Sequence, residues 1–248
     1  MVTALVLAVL IGLSLGFLGG GGSILTVPIL IYVVGLEPRN AIATSLLVVG
    51  VTSLAAMLSH ARQGRVDWRV GLLFGASSMV GAFIGGHIAY LMPTKALLAG
   101  FTVMMIVTGV AMMRRRGEPS ERAPGAHGLA KATAVGVGIG LLTGMVGAGG
   151  GFVIVPALVF FSCLPMCTAV GTSLLVIAMN SFAGFVGTLG HTTIAWHLAL
   201  SVTAAAVGGS LVGAAFARRV KPESLRTGFA WFVLAMAMFM TVKQFPSL

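Results

Sequence analysis

Long apolar runs follow one another along the chain, separated by short polar or basic breaks. Six of them, near 41–60, 70–91, 96–113, 168–189, 197–217 and 226–242, are long enough to cross a bilayer as single helices. None shows the alternation over about 10 residues that a membrane β-strand requires. Two more apolar stretches, 2–35 and 132–163, are split by glycine: GFLGGGGSILTVP at 16–28 and GMVGAGGGFVIVP at 144–156. Glycine weakens a helix by about 1 kcal/mol per residue, so each cluster predicts a break in a helix. The pattern as a whole predicts an all-α integral membrane protein.

The glycine clusters begin at Gly16 and Gly144, and the same offset aligns the two halves of the chain. Comparing 12–68 with 140–196 gives 19 identities in 57 positions, without a gap. They include Gly16/Gly144, Gly19/Gly147, Gly21/Gly149, Gly22/Gly150, Pro28/Pro156, the run TSLLV at 44–48 and 172–176, and Trp68/Trp196. Gly81/Gly209, Leu97/Leu225 and Phe101/Phe229 keep the same offset further on. We read repeat one at 1–113, a charged connector at 114–130 and repeat two at 131–248, together forming one membrane domain. Each repeat consists of a glycine-split stretch followed by three ordinary spans.

Composition agrees with this picture: 58% of residues are hydrophobic and 8% charged, too few polar groups for a soluble surface. The net charge of +10 sits at span ends, where it reports topology rather than nucleic-acid binding. Arg62, Arg65 and Arg69 follow the first ordinary span of repeat one, while the equivalent loop at 190–197 has no Lys or Arg. The next loop reverses this, with Lys95 alone in repeat one but Arg218, Arg219, Lys221 and Arg226 in repeat two. Inverted repeats with a cytoplasmic connector put 12 basic residues inside against 3 outside, whereas parallel repeats give 9 against 6. Inversion is therefore the expectation. It needs an odd number of crossings per repeat, met if each glycine-split stretch is a re-entrant hairpin. Two short full crossings would leave the same parity. The opening segment, 1–20, lacks a basic leader and its pattern recurs at 132–150, so it reads as part of the mature fold. Cys163 and Cys167 have neither the spacing nor the partners of a metal or redox site.

A turn at membrane depth survives only if protein buries it or a wet cavity meets it. The half-helix that follows begins with unpaired N–H groups and the positive end of its dipole, and glycine lets a ligand approach them closely. Two such termini meeting near the midplane would hold an anion without a basic side chain. The candidate ligating residues are Gly19, Gly20, Gly21, Gly22 and Ser23 in the first cluster and Gly147, Gly149, Gly150 and Gly151 in the second. On the spans that follow, Ser45, Thr52 and His60 share a helical face, as do Ser173, Asn180 and Thr188, with Thr44 and Thr172 alongside. Thr44, Ser45, Thr52, Thr172, Ser173 and Asn180 are added to the candidate set as a pathway lining. The competing structural readings are helix packing for the glycines and local backbone bonding or interhelical ties for the hydroxyls and the amide. Gly71/Gly75 and Gly209/Gly213 fit the packing reading. The GGGGS and GAGGG clusters lack the lysine of a P-loop and the strand and acidic residue of a dinucleotide fold. No Asp or Glu falls at the centre of a span, which argues against a carboxylate-based ion site. Ser23 with His60 as a nucleophile–base pair lacks a third orienting group, and Ser23 aligns with Gly151, so no enzyme is expected.

The paired motifs, Gly16 to Pro28 followed by Ala43-Thr44-Ser45-Leu46 and Gly144 to Pro156 followed by Gly171-Thr172-Ser173-Leu174, resemble the TauE/SafE group of sulfite and sulfonate transporters. Gly20 in place of Ala148, and Ser23 in place of Gly151, are the departures between the copies. The resemblance implies transport, often export, of sulfite, sulfoacetate or related organic anions across the inner membrane by a multi-pass protein. The expected partners are a small anion and the lipid bilayer, with no nucleic acid and no cofactor. Homo-oligomerisation stays open, as do a channel of the same architecture and a non-transporting assembly factor.

Overall fold

The computed structural model describes residues 2–89, 91–114, 126–146, 151–162, 164–188, 195–217, 220 and 222–244. The middle of the connector, 115–125, lies outside them, as do Gly147, Gly149 and Gly150. Ten helices and no strand occur among the described residues: α1 (Val2–Leu18), α2 (Gly21–Tyr32), α3 (Pro38–Ala61), α4 (Trp68–Ala89), α5 (Thr94–Arg114), α6 (Ala126–Val146), α7 (Gly151–Phe161), α8 (Met166–Thr188), α9 (Trp196–Phe216) and α10 (Pro222–Gln244). Five segments, within α3, α4, α5, α8 and α9, are long and apolar enough to cross a membrane, and Thr227–Val242 of α10 is a shorter apolar segment.

Local chemistry sets several boundaries. Pro38 opens α3, where its missing N–H costs nothing and its ring favours the helical φ. The Asp67 carboxylate accepts the N–H of Val70 at 3.0 Å and so caps α4. Gly19 has φ +74, a left-handed conformation that favours glycine, and there α1 stops. The chain then folds back, since Gly22 of α2 packs against Ile11 and Leu15 of α1. Pro28 and Pro156 lie inside α2 and α7, where neither can donate to the carbonyl four residues earlier.

Packing follows the repeat offset. The first helix of each half lies against the fourth helix of the other half, α1 on α9 and α6 on α4, and these two contacts are extensive. Both interfaces use glycines at equivalent positions. An added Cβ on Gly12 or Gly16 would meet the carbonyls of Ala206 or Ser210, and one on Gly209 or Gly213 would meet those of Val9 or Leu13. On the other side, Gly140 and Gly144 meet Ser78 and Ala82, and Gly81 and Gly85 meet Val137 and Leu141. Numbers rise together in both pairs, so α1 runs parallel to α9 and α6 runs parallel to α4. Gly71 against Thr172 and Leu175, then Gly75 against Val176 and Met179, makes α4 parallel to α8 as well. The central pair α3·α8 is antiparallel: Leu46 meets Gly184, Gly50 meets Ser181, and His60 meets Gly171. The outer pair α5·α10 encloses an apolar core of Phe101, Met105, Met112, Phe229, Val233 and Met240.

Candidate functional site

The first glycine turn touches the start of α7. A Cβ added to Gly151 would lie 2.6 Å from the Cα of Gly20 and 2.7 Å from Cδ1 of Ile177. Ile177 stands at the middle of α8 (Met166–Thr188). Gly19 faces the Ser173 hydroxyl and Val170 of the same helix. Gly20 caps α2 without any side-chain hydrogen bond, so the opening N–H groups of that helix, on Gly21, Gly22 and Ser23, have no side-chain cap. The Ser23 hydroxyl donates back to the Gly20 carbonyl at 2.8 Å. Gly22 has a packing reason of its own, since a Cβ there would lie 2.2 Å from the Ile11 carbonyl oxygen.

Beside the turns run α3 and α8. Ser45 and Ser173 each donate to a carbonyl one turn earlier in their own helix, Ile42 at 2.7 Å and Val170 at 2.8 Å. Thr172 accepts the N–H of Asp67 at 2.9 Å, pinning the α3–α4 loop to α8. Thr44, Thr52, Ser53, Asn180 Nδ2 and Ser181 behave differently: all are buried, and none has a hydrogen-bond partner among the described residues. Asn180 is held at its other end, where Oδ1 accepts from the Ser78 hydroxyl of α4 at 2.7 Å. Thr52 and Asn180 are equivalent under the repeat offset, and so are Ser53 and Ser181. All four sit near the crossing marked by Gly50 and Ser181. Thr44 is two helical turns away, about 12 Å at 1.5 Å per residue, so the polar groups form a file rather than a single cup.

A buried polar group left unpaired costs about 1–3 kcal/mol, so five of them together cost roughly as much as the whole net stability of a typical protein. That is too much for a packing accident. Such a file is suited to bind something: hydroxyls that can turn to donate, one amide NH2, and the N–H end of α2. Among the described residues of α1, α2, α3, α7 and α8 the only Asp, Glu, Lys or Arg is Arg39, at the start of α3. The set is neutral and rich in donors, which favours an anion over a cation.

Ser53, Ser181 and Ser78 were not among the residues expected from sequence. Ser53/Ser181 is one of the identities at the repeat offset, a signal sufficient to find the pair; Ser78 aligns with Ala206 and carried no such signal.

Comparison with known proteins agrees across the chain. The family profile described as "Sulfite exporter TauE/SafE" matches residues 4–240. A "Probable membrane transporter protein" of Xylella fastidiosa (strain Temecula1) is 36% identical, covering 96% of this chain and 94% of its own. "Probable membrane transporter protein YunE" of Bacillus subtilis is 27% identical over 89% of this chain and 91% of its own. "Probable membrane transporter protein MJ0441" of Methanocaldococcus jannaschii is 25% identical, covering 94% of each. No solved structure matches.

Proposed function

From the premise that the chain belongs to the sulfite exporter TauE/SafE family, and is thus a multi-pass membrane transporter, we propose that it is a secondary transporter of small sulfur-containing or organic anions, sulfite and sulfoacetate among them, in the inner membrane. The anion binds near the bilayer midplane, to backbone N–H groups of the two glycine turns and to the file of hydroxyl and amide groups on α3 and α8. The observation that carries this reading is the contact of Gly20 with Gly151 at the level of Ile177, beside the unpartnered Thr52, Ser53, Asn180 and Ser181. Of the sequence candidates, Ser23, Ser45 and Ser173 shape the wall, their hydroxyl hydrogens being committed to backbone carbonyls of their own helices. Thr172 acts by holding the loop.

The repeats are inverted in this proposal, and the helix directions support it. The central helix α3 is antiparallel to its counterpart α8, and α4 and α6 both run with α8. With α9 reversing direction after α8, as consecutive crossings do, α1 opposes α6 and α4 opposes α9. Each hairpin, α1–α2 and α6–α7, is re-entrant. The reversal at Gly19 and Gly20 and the short α2, 12 residues or about 18 Å at 1.5 Å per residue, support that. Alternating access is then a rocking of one half against the other around fixed turns.

A binding screen by thermal shift tests the proposal, comparing sulfite, sulfoacetate, taurine, sulfate, acetate and a cation control at fixed ionic strength. A ligand that binds the native state stabilises it by RT ln(1 + [L]/Kd). Selective stabilisation by a sulfur oxyanion or a sulfonate is the expected result. Folded protein that responds to no anion refutes the proposal.

A further inference from the structure

Resting on the anion reading above, we propose that His60 is a second binding site of the transporter, for a proton that travels with the anion.

His60 ends α3 and is 1% exposed. It sits between the Gly16 carbonyl of α1, Gly171 of α8 and the loop after α3, whose Arg65 N–H returns to the His60 carbonyl at 3.1 Å. A ring nitrogen of His60 lies 3.1 Å from the Gly16 carbonyl oxygen. A carbonyl only accepts, so this Nε2 carries a hydrogen and Nδ1 presents a lone pair. Nδ1 is buried and has no partner among the described residues. Gly16 lies one turn before Gly19, and Gly171 lies just before Ser173, whose hydroxyl faces Gly19. The imidazole thus stands directly behind the first glycine turn and is hydrogen-bonded to the helix that carries it.

The surrounding charges decide what a proton on Nδ1 would require. Neither α1 nor α8 has a charged residue, and Cys167 at the start of α8 is the one thiol on these helices. In α2 the one titratable residue is Tyr32, at its last position. α9 contributes only His197, at the opposite end of that helix from the Ser210 that meets Gly16, about 20 Å away at 1.5 Å per residue. On α3 itself Arg39 is at the opposite end. The loop and the start of α4 bring Arg62, Arg65, Asp67 and Arg69. Arg65 is the residue whose charge acts on His60. The Asp67 carboxylate is committed to the cap of α4. The positive end of α2 adds to the opposition. Three arginines against one carboxylate leave this loop and helix start with a net charge of +2, so an imidazolium here meets excess positive charge, and an anion on the adjacent turn offsets it. By reciprocity the proton raises anion affinity by the same factor, typically about 5–150-fold for coupled sites. The second half has Thr188 at the equivalent position, so one proton accompanies one anion.

The test uses the full chain in proteoliposomes with a pH-sensitive dye in the lumen and methanesulfonate as the probe, an anion that stays ionised and carries no proton itself. Wild-type uptake should acidify the lumen mole for mole, and an inward tenfold proton gradient should accumulate the probe up to about tenfold. His60→Gln keeps a donor for the Gly16 carbonyl but has no site for a proton. It should take up methanesulfonate downhill without acidification and without accumulation. Wild-type uptake without proton movement overturns the inference, and so does acidification by His60→Gln at the wild-type ratio. No uptake by folded wild-type protein fails one step earlier, at the anion reading, and overturns both. Should the variant be inert or misfolded, calorimetric titration of wild type with methanesulfonate in two buffers of different ionisation enthalpy decides. Proton uptake on binding supports the proposal, and binding without it overturns it.

Discussion

Gly208 and Gly209 are neighbours on α9, yet the fold gives them opposite roles. A Cβ on Gly208 meets nothing within 4 Å, whereas one on Gly209 would lie 2.2 Å from the Val9 carbonyl oxygen and 3.1 Å from the Leu13 nitrogen. Alanine at 209 therefore forces α1 away by about 1 Å, and gaps of that size forfeit a quarter to a half of each contact along the seam. Overpacking of this kind costs about 1–3 kcal/mol, while Gly208→Ala gains up to about 1 kcal/mol in helix propensity. The swing between the two single-methyl variants is then about 2–4 kcal/mol, or on the order of 5–15 °C in Tm for a chain of this length. Thermal unfolding in detergent, followed with a thiol-reactive dye on the native cysteines, reads it directly. Gly81 is equivalent to Gly209, and a Cβ there would clash with the Val137 carbonyl oxygen, so Gly81→Ala should fall by a similar amount. Equal midpoints for the 208 and 209 variants, or the reverse order, would refute the pairing of α1 with α9.

Asn180→Leu should abolish anion-dependent stabilisation and lower transport at least about tenfold while costing only about 1 kcal/mol of stability, since Ser78 can turn to the Gly75 carbonyl at 3.2 Å; an unchanged thermal response in the anion screen counts against the site. Gly22→Val should pry the hairpin open against Ile11 and Leu15, lowering stability by about 1–3 kcal/mol and removing flux; wild-type flux in that variant would show the hairpin packing to be wrong. Cysteines at the exposed positions Arg62 and Ala195 should label from opposite sides of intact cells, and labelling of both from one side would contradict inverted repeats.

Much of the architecture can be read from the sequence because membrane-spanning helices and their breaks are local signals. The expected spans near 41–60 and 168–189 are helices 38–61 and 166–188, and the first glycine cluster breaks its helix at Gly19. Partner choice could not be read the same way. The helices are apolar nearly all round, so periodicity marks no buried face, and Gly12, Gly16, Gly209 and Gly213 say that a close contact exists without saying with which helix. The candidate site divided similarly. Residue type drew attention to Thr52 and Asn180, but only tertiary packing separates hydroxyls left without partners from Thr172, whose oxygen takes a loop N–H 105 positions away in sequence. In the sequence Gly22 stands out for its exposed backbone; the fold adds α1 pressed against it. The second cluster's Gly147, Gly149 and Gly150 lie outside the described residues, and Gly151 is its representative at the turn contact.

The exchange of first helices between halves has a consequence for how the protein is made. The glycine face of α1 is complete once Leu18 has been added, but the α9 surface it fits, around Gly209 and Gly213, comes near the end of the chain. Synthesis at about 5–20 residues per second leaves that glycine face of α1 uncovered for about 10–40 seconds, although α2 already lies on another side. The half that α6 joins is less exposed to delay, because α4 has already been made when α6 appears. Assembly is therefore lopsided in time although the two glycine contacts fall at equivalent positions of the halves. A second nascent chain nearby could offer its own α9 to a waiting α1, so crowded translation would favour swapped dimers.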